Sequence, residues 1–173
     1  MRDTLAFALD GVPAFALGRY EGSLVRAIVA MKKGRRDALD AFAGLLAARA
    51  PLDGTLIPLP TTRGRIVDRG FDQSVELARR LATLRGLAVA DVLEKRGAPQ
   101  AGRNRLGRLA TAERFRVRRG AALPTVATVL DDVSTTGATV RDALRVLREA
   151  GVDVRRVVVL ARTAEPNPTA AGR

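Results

Sequence analysis

The stretch Thr128-Val129-Leu130-Asp131-Asp132-Val133-Ser134-Thr135-Thr136-Gly137-Ala138-Thr139 carries the reading of the whole chain. An apolar run ends in two adjacent carboxylates, a hydroxyl-rich loop with one glycine follows, and a helix begins at once. Residues 126–130 are short, β-branched and bounded by turn signals, which predicts a buried strand of a parallel sheet. Val140, Ala143, Leu144 and Leu147 recur at helical spacing, and Gly151 stands where a helix C-terminus favours glycine. The loop between strand and helix is therefore placed at the carboxyl end of the one and the amino end of the other. In α/β proteins ligands bind there, and the free N–H groups favour a phosphate.

The loop chemistry sharpens this. Ser134, Thr135, Thr136 and Thr139 offer hydroxyl donors, and Gly137 lets the backbone approach an anion closely. Asp131 and Asp132 alternate across the strand end and supply acceptor-only groups, suited to ribose hydroxyls or a hydrated metal ion. A phosphate cradle beside acids for vicinal hydroxyls describes a ribose 5-phosphate site, made by Asp131, Asp132, Val133, Ser134, Thr135, Thr136, Gly137, Ala138 and Thr139. A solvated Asp-Asp turn followed by a threonine N-cap would account for such a junction taken alone. The full string is more specific than that.

The string resembles the phosphoribosyl-pyrophosphate motif of type I phosphoribosyltransferases. Upstream, Ile57-Pro58-Leu59-Pro60, Arg69-Gly70-Phe71-Asp72-Gln73 and Leu77-Ala78 resemble the ComF branch of that family, the competence-associated proteins. Tyr20-Glu21-Gly22 and Lys32-Lys33-Gly34 add to the resemblance, which spans roughly residues 20–162. Asp72 departs from the asparagine usual in ComF-like chains. The resemblance implies a type I phosphoribosyltransferase fold, α/β, with a central parallel sheet flanked by helices and a flexible hood loop. It implies Asp131 and Asp132 as the catalytic pair, with Mg2+ on the ligand held by them indirectly. Pro60, Thr61, Arg63, Arg65 and Arg69 would form the pyrophosphate loop, with Arg69 favoured because it adjoins the family-like Gly70-Phe71. Phe71 itself reads as core packing. Gln100, Arg105 and Arg108, ahead of Phe115, would belong to the hood, although the usual asparagine is not evident there. Purine-salvage relatives carry an aspartate base where this chain has Thr135, so the resemblance disfavours hypoxanthine or guanine as acceptor.

Composition is consistent with one globular domain. The 173 residues suit a single domain, and 47% apolar content suffices for a sizeable core. No apolar run approaches the ~20 residues of a membrane span, and the first residues lack the pattern of a secretory signal. The chain has no cysteine and no histidine, which removes disulfides, thiolate metal sites and the commonest general base. Many ComF proteins begin with a four-cysteine zinc module, so this chain is expected to correspond to the transferase domain alone. The net charge is +12 with 30 Lys and Arg, of which only Lys32, Lys33 and Lys95 are lysine. Nucleotide bias toward arginine codons would produce that skew without any ligand. Residues 96–119, however, hold eight arginines and one acid, Glu113. That stretch reads either as a long functional loop or as a solvated basic one.

The coarse layout alternates strands and helices, which argues for a parallel sheet. Strands are expected at 14–17, 56–57, 88–93, 126–130 and 157–161, and helices at 22–33, 37–49, 72–84 and after Gly137. Leu24, Val25, Ile28 and Val29 are the expected inward face of the first helix. The expected organisation is a single domain over 1–173: an N-terminal helical and hood part to residue 50, a ligand-bearing core over 51–163, and a frayed tail over 164–173. The function this predicts is binding of phosphoribosyl pyrophosphate, or a ribose 5-phosphate nucleotide, with Mg2+. Transfer of the phosphoribosyl group to a nitrogen acceptor would release pyrophosphate in the cytoplasm, from a monomer or homodimer. The alternative is a non-catalytic competence protein binding single-stranded DNA or partner proteins. A strand-binding groove normally stacks bases on aromatics, and this chain has no tryptophan, one tyrosine and five phenylalanines.

Overall fold

Two short, largely apolar runs around Asp10-Gly11 build a hairpin at the start of the chain. The computed structural model describes residues 4–61, 71–95 and 115–163, and within them β1 (Leu5–Leu9) pairs antiparallel with β2 (Val12–Ala16). Asp10 and Gly11 both have positive φ, 48° and 78°, as the tightest two-residue hairpin turn requires. The expected strand at 14–17 is thus only the second arm. The Asp-Gly signal between two apolar runs marks the first.

Two helices follow, α1 (Gly22–Lys32) and α2 (Arg36–Arg49), and then β3 (Thr55–Pro58). In α1, Leu24, Ile28 and Met31 are buried while Val29 is 39% exposed. The inward stripe therefore runs through Met31 rather than Val29, since Leu24, Ile28 and Met31 stand at i, i+4 and i+7 on one face. Helix α3 (Gln73–Arg85) starts at Asp72, whose Oδ1 accepts the N–H groups of Ser74 and Val75 at 3.0 and 3.4 Å, a cap worth about 1 kcal/mol. It ends at Gly86 in the left-handed region. Strands β4 (Leu93–Lys95) and β5 (Phe115–Val117) form a separate two-stranded antiparallel sheet. The strand expected at 88–93 is replaced by a single bridge, Val89 beside Leu56, and then β4.

The central sheet is completed by β6 (Val126–Ser134), α4 (Ala138–Glu149) and β7 (Asp153–Arg162). Its order is β1-β2-β7-β6-β3, parallel throughout except for the β1–β2 edge. Both faces are covered, so residues divide by parity. Val157 and Val159 join α4 and the β4–β5 pair in one core, while Val158 and Leu160 join α1, α2 and α3 in the other. This is the α/β arrangement, a mostly parallel sheet between helices, that the resemblance implied. Full burial on both faces is why these strands are continuous apolar runs rather than alternating ones.

The amino ends of the strands are fastened by Asp53 and Gly54. Thr128, fully buried, donates its hydroxyl to the Asp53 carbonyl at 2.8 Å and accepts the Asp53 N–H at 2.9 Å. A Cβ on Gly54 would lie 2.2 Å from the Val126 carbonyl oxygen, so only glycine lets β3 enter beside β6. With this end locked, the carboxyl ends of β3 and β6 emerge side by side: Pro58 is level with Leu130, and the Leu59 N–H donates to the Leu130 carbonyl at 2.9 Å.

Candidate functional site

Strand β6 does not stop at Leu130. It continues through Ser134 because β7 runs on to Arg162 and supplies partners for Asp131, Val133 and Ser134. The carboxylates expected at the end of the strand are therefore held within it, and the loop proper is shortened to Thr135, Thr136 and Gly137. Ser134 closes the strand with only 3% of its surface exposed. Thr135 and Thr136 are exposed, Thr139 half-buried, and Gly137 buried. Gly137 caps α4 with φ at 75°, a value a side chain resists. A Cβ there would lie 2.6 Å from Leu9 Cδ2. The hairpin tip thus closes against the loop from behind.

Arg141, in the first turn of α4, reaches back to donate to the Thr136 carbonyl at 2.7 Å and pairs with Asp10 at 3.3 Å. With that carbonyl turned to Arg141, the exposed Thr135 and Thr136 stand at the start of a helix twelve residues long. Such an end binds anions. The Ala138 N–H contacts Thr136 Oγ1 at 3.4 Å, a length too long to hold it against a stronger acceptor.

The two carboxylates are tied differently. Asp131 Oδ1 accepts the Asp132 N–H at 2.8 Å, and Asp132 Oδ1 accepts the Val133 N–H at 2.6 Å. Asp132 has the parity of Leu130 and faces α1, where its Oδ2 meets Lys32 Nζ at 2.6 Å. Burial, then the negative charge of Asp132, pushes Asp131 from the ordinary 3.8 to about 7, against the opposing pull of the Asp132 amide and the Lys32 and Lys95 charges. Among the described residues no group of three or more acids or other ligands gathers to cage a metal. Asp131 and Asp132 are acceptor-only groups, chemistry that would suit a ligand-borne cation met through water.

The pyrophosphate-loop candidates divide. Pro60 is buried and Thr61 half-buried, and the Thr61 N–H donates to Asp72 Oδ2 at 2.9 Å. Asp72, the departure from asparagine, thereby caps α3 with one oxygen and fixes the first residue of this loop with the other. Arg63, Arg65 and Arg69, the hood candidates Gln100, Arg105 and Arg108, and the tail lie outside the described residues. Phe71 packs in the helix-side core. The reading of residues alone gave no role to Lys32 or Lys95, or to the Leu9–Asp10 hairpin tip. The available signals were the Asp-Gly turn and the scarcity of lysine: of three lysines in the chain, two place their charge on Asp131.

No protein-family model matches the chain. Over 96 residues it is 33% identical to competence protein ComFC of Streptococcus pneumoniae, covering 55% of this chain and 42% of that one. The matched part is thus less than half the length of that relative. A crystal structure of a hypoxanthine phosphoribosyltransferase from Staphylococcus aureus matches 83% of this chain and 70% of its own, at 12% identity and a TM-score of 0.37. The competence relative bears the name of the family that the Asp131-Asp132 string and its upstream segments resemble, and the chain itself is an α/β domain similar to part of that relative.

Proposed function

We propose that this chain binds phosphoribosyl pyrophosphate with Mg2+ and transfers the phosphoribosyl group to a nitrogen acceptor, releasing pyrophosphate. One observation carries the reading: two carboxylates at the end of β6 lead directly, through three loop residues, into the amino end of α4. The loop N–H groups and the Thr135, Thr136 and Thr139 hydroxyls take the 5-phosphate, and Asp131 and Asp132 accept from the ribose hydroxyls. Pro60 and Thr61 begin the segment toward which the diphosphate lies. The ion supplies neutralisation of the leaving diphosphate. Breaking the anomeric bond builds positive charge on the sugar, so a fixed carboxylate pair beneath it stabilises the transition state by position and charge.

Ligand saturation is the direct test. At ~100 times its dissociation constant, phosphoribosyl pyrophosphate with Mg2+ stabilises the fold by about 2.7 kcal/mol, roughly 5–10 °C for a domain of this size. Asp131→Asn with Asp132→Asn leaves the protein folded and removes most of that shift. A double variant with an undiminished shift takes the pentose role away from the pair. A second reading rests on the likeness to a competence protein together with the +12 charge: a DNA- or partner-binding role that keeps the ligand site without turnover.

A further inference from the structure

Lys32 is the last residue of α1, and its contact with Asp132 joins two half-buried side chains from elements far apart in the chain. Several other ion pairs join exposed side chains, such as Arg35 with Asp37 at 67% and 65% exposure, and such pairs contribute little. Lys32 and Asp132 are each 26% exposed and meet at 2.6 Å. The lysine is also anchored through its backbone. Its carbonyl accepts from Gln73 Nε2 at 3.4 Å, and Gln73 is 4% exposed at the first turn of α3. The adjacent Asp72 caps that helix and holds Thr61. The backbone at the end of α1 is therefore tied to the start of α3, which also holds the chain leaving β3, while the Lys32 ammonium itself meets Asp132 of β6.

We propose that Lys32 is a positioning residue of the pentose site: it holds the Asp132 carboxylate in the orientation that accepts a sugar hydroxyl. The proposal rests on the pentose-phosphate reading above. The Val133 N–H takes one lone pair of Oδ1 and Lys32 one of Oδ2, which pins the carboxylate plane while leaving acceptor capacity on both oxygens. Without the ammonium, two adjacent carboxylates repel and Asp132 is free to turn to solvent. Lys32 also halves the negative charge of the pair, so that it receives neutral hydroxyl donors beside an anionic phosphate. Arg141 and the Gly137 loop, on the other side of β6, do not touch Lys32, so phosphate capture and diol capture are separable.

The test compares two ligands by calorimetry at constant pH in chelator: ribose 5-phosphate, which uses both halves of the site, and inorganic phosphate, which uses the loop alone. The full chain is measured as parent, K32M, K32Q and K32R, and K32M is combined with D132N. K32M and K32Q weaken ribose 5-phosphate about tenfold and change inorganic phosphate less than threefold, while K32R recovers most of the preference. In the D132N background K32M has no further effect, because Lys32 acts through Asp132. A folded K32M or K32Q that keeps the parent preference overturns the proposal. So does an equal loss for both ligands, or a full K32M loss persisting in D132N, since either reduces Lys32 to a general positive charge. A parent with no preference for ribose 5-phosphate over inorganic phosphate overturns the pentose reading itself, whatever the variants do.

Discussion

Asp131 sits where burial and the neighbouring carboxylate both act against its negative charge, raising it to about 7. In the unfolded chain it returns to the ordinary 3.8. Between those values the folded protein binds more protons than the unfolded one. The stability Asp131 contributes is therefore fully present below pH about 4 and falls as pH rises toward 7, beyond which it is flat. Asp131→Asn removes the charge and keeps the shape. Thermal melts of ligand-free protein in chelator should show a falling melting temperature from pH 5 to 8 for the parent and a shallower fall for the variant. At pH 8 the variant is more stable by roughly 1–3 kcal/mol. Identical slopes would show that Asp131 is not the titrating group. Gly137 offers the complementary case. Gly137→Ala must adopt a positive φ and push Leu9 away, so it costs about 1–3 kcal/mol in denaturant melts and weakens inorganic phosphate as well as ribose 5-phosphate. A variant as stable as the parent would show that the hairpin tip does not press on the loop.

At the scale of elements, the site is assembled by what each helix and strand does at its end. Helix α4 has its core stripe in Val140, Ala143, Leu144 and Leu147, all visible as a 3.6-residue pattern. Its start is set by Gly137, and its end by Gly151, where the Val152 N–H returns to the Leu147 carbonyl at 3.0 Å. Helix α3 depends on Asp72 in a way its pattern does not show, because one carboxylate serves both the cap and Thr61. Asp72→Ala loses both contacts and is expected to cost about 1–2 kcal/mol, measured by urea melts. Asp72→Asn retains an oxygen for the cap and costs less than half as much. Equal losses would assign the effect to charge at the helix terminus rather than to hydrogen bonding.

Across the whole molecule, the carboxyl ends of β3 and β6 open on one edge of the sheet, and positive charge surrounds the Asp pair from Lys32 and Lys95. A net charge of +12 suits either an anionic nucleotide or a nucleic acid. Salt separates them, since each phosphate contact on a single strand contributes about −0.7 to the log–log slope of affinity against salt. Arg103, Arg105 and Arg108, outside the described residues, are the natural triple substitution to alanine. If they track a DNA backbone, the slope flattens by roughly two units. The chain's few aromatics favour the other outcome: weak parent binding to single-stranded DNA at physiological salt, and a triple variant that loses phosphoribosyl transfer. Sub-micromolar DNA binding by the parent, with a flatter slope in the triple variant, would reverse that order.

Local chemistry was enough to determine the α/β class, the helices around 22–33, 37–49, 72–84 and after Gly137, and the place of the Asp131–Thr139 string at a strand-to-helix junction. Periodicity, caps and turn residues are properties of neighbours along the chain, so they can be read without knowing the fold. The length of β6 could not be read that way. Asp131 and Asp132 look like the end of a strand until β7 is seen to run beside them and supply backbone partners as far as Ser134. The split of the 88–93 strand into a lone bridge and a second small sheet likewise depends on which partner edge each residue meets. The pairing of Lys32 with Asp132 spans a hundred residues and three intervening strands, and nothing in either segment names the other. Hydrogen-bond partners across a sheet and charges brought together from distant helices are set only when the layers pack. Only the tertiary structure decided that one carboxylate of the pair would be clasped by a lysine and the other pushed up by burial and by its neighbour's charge.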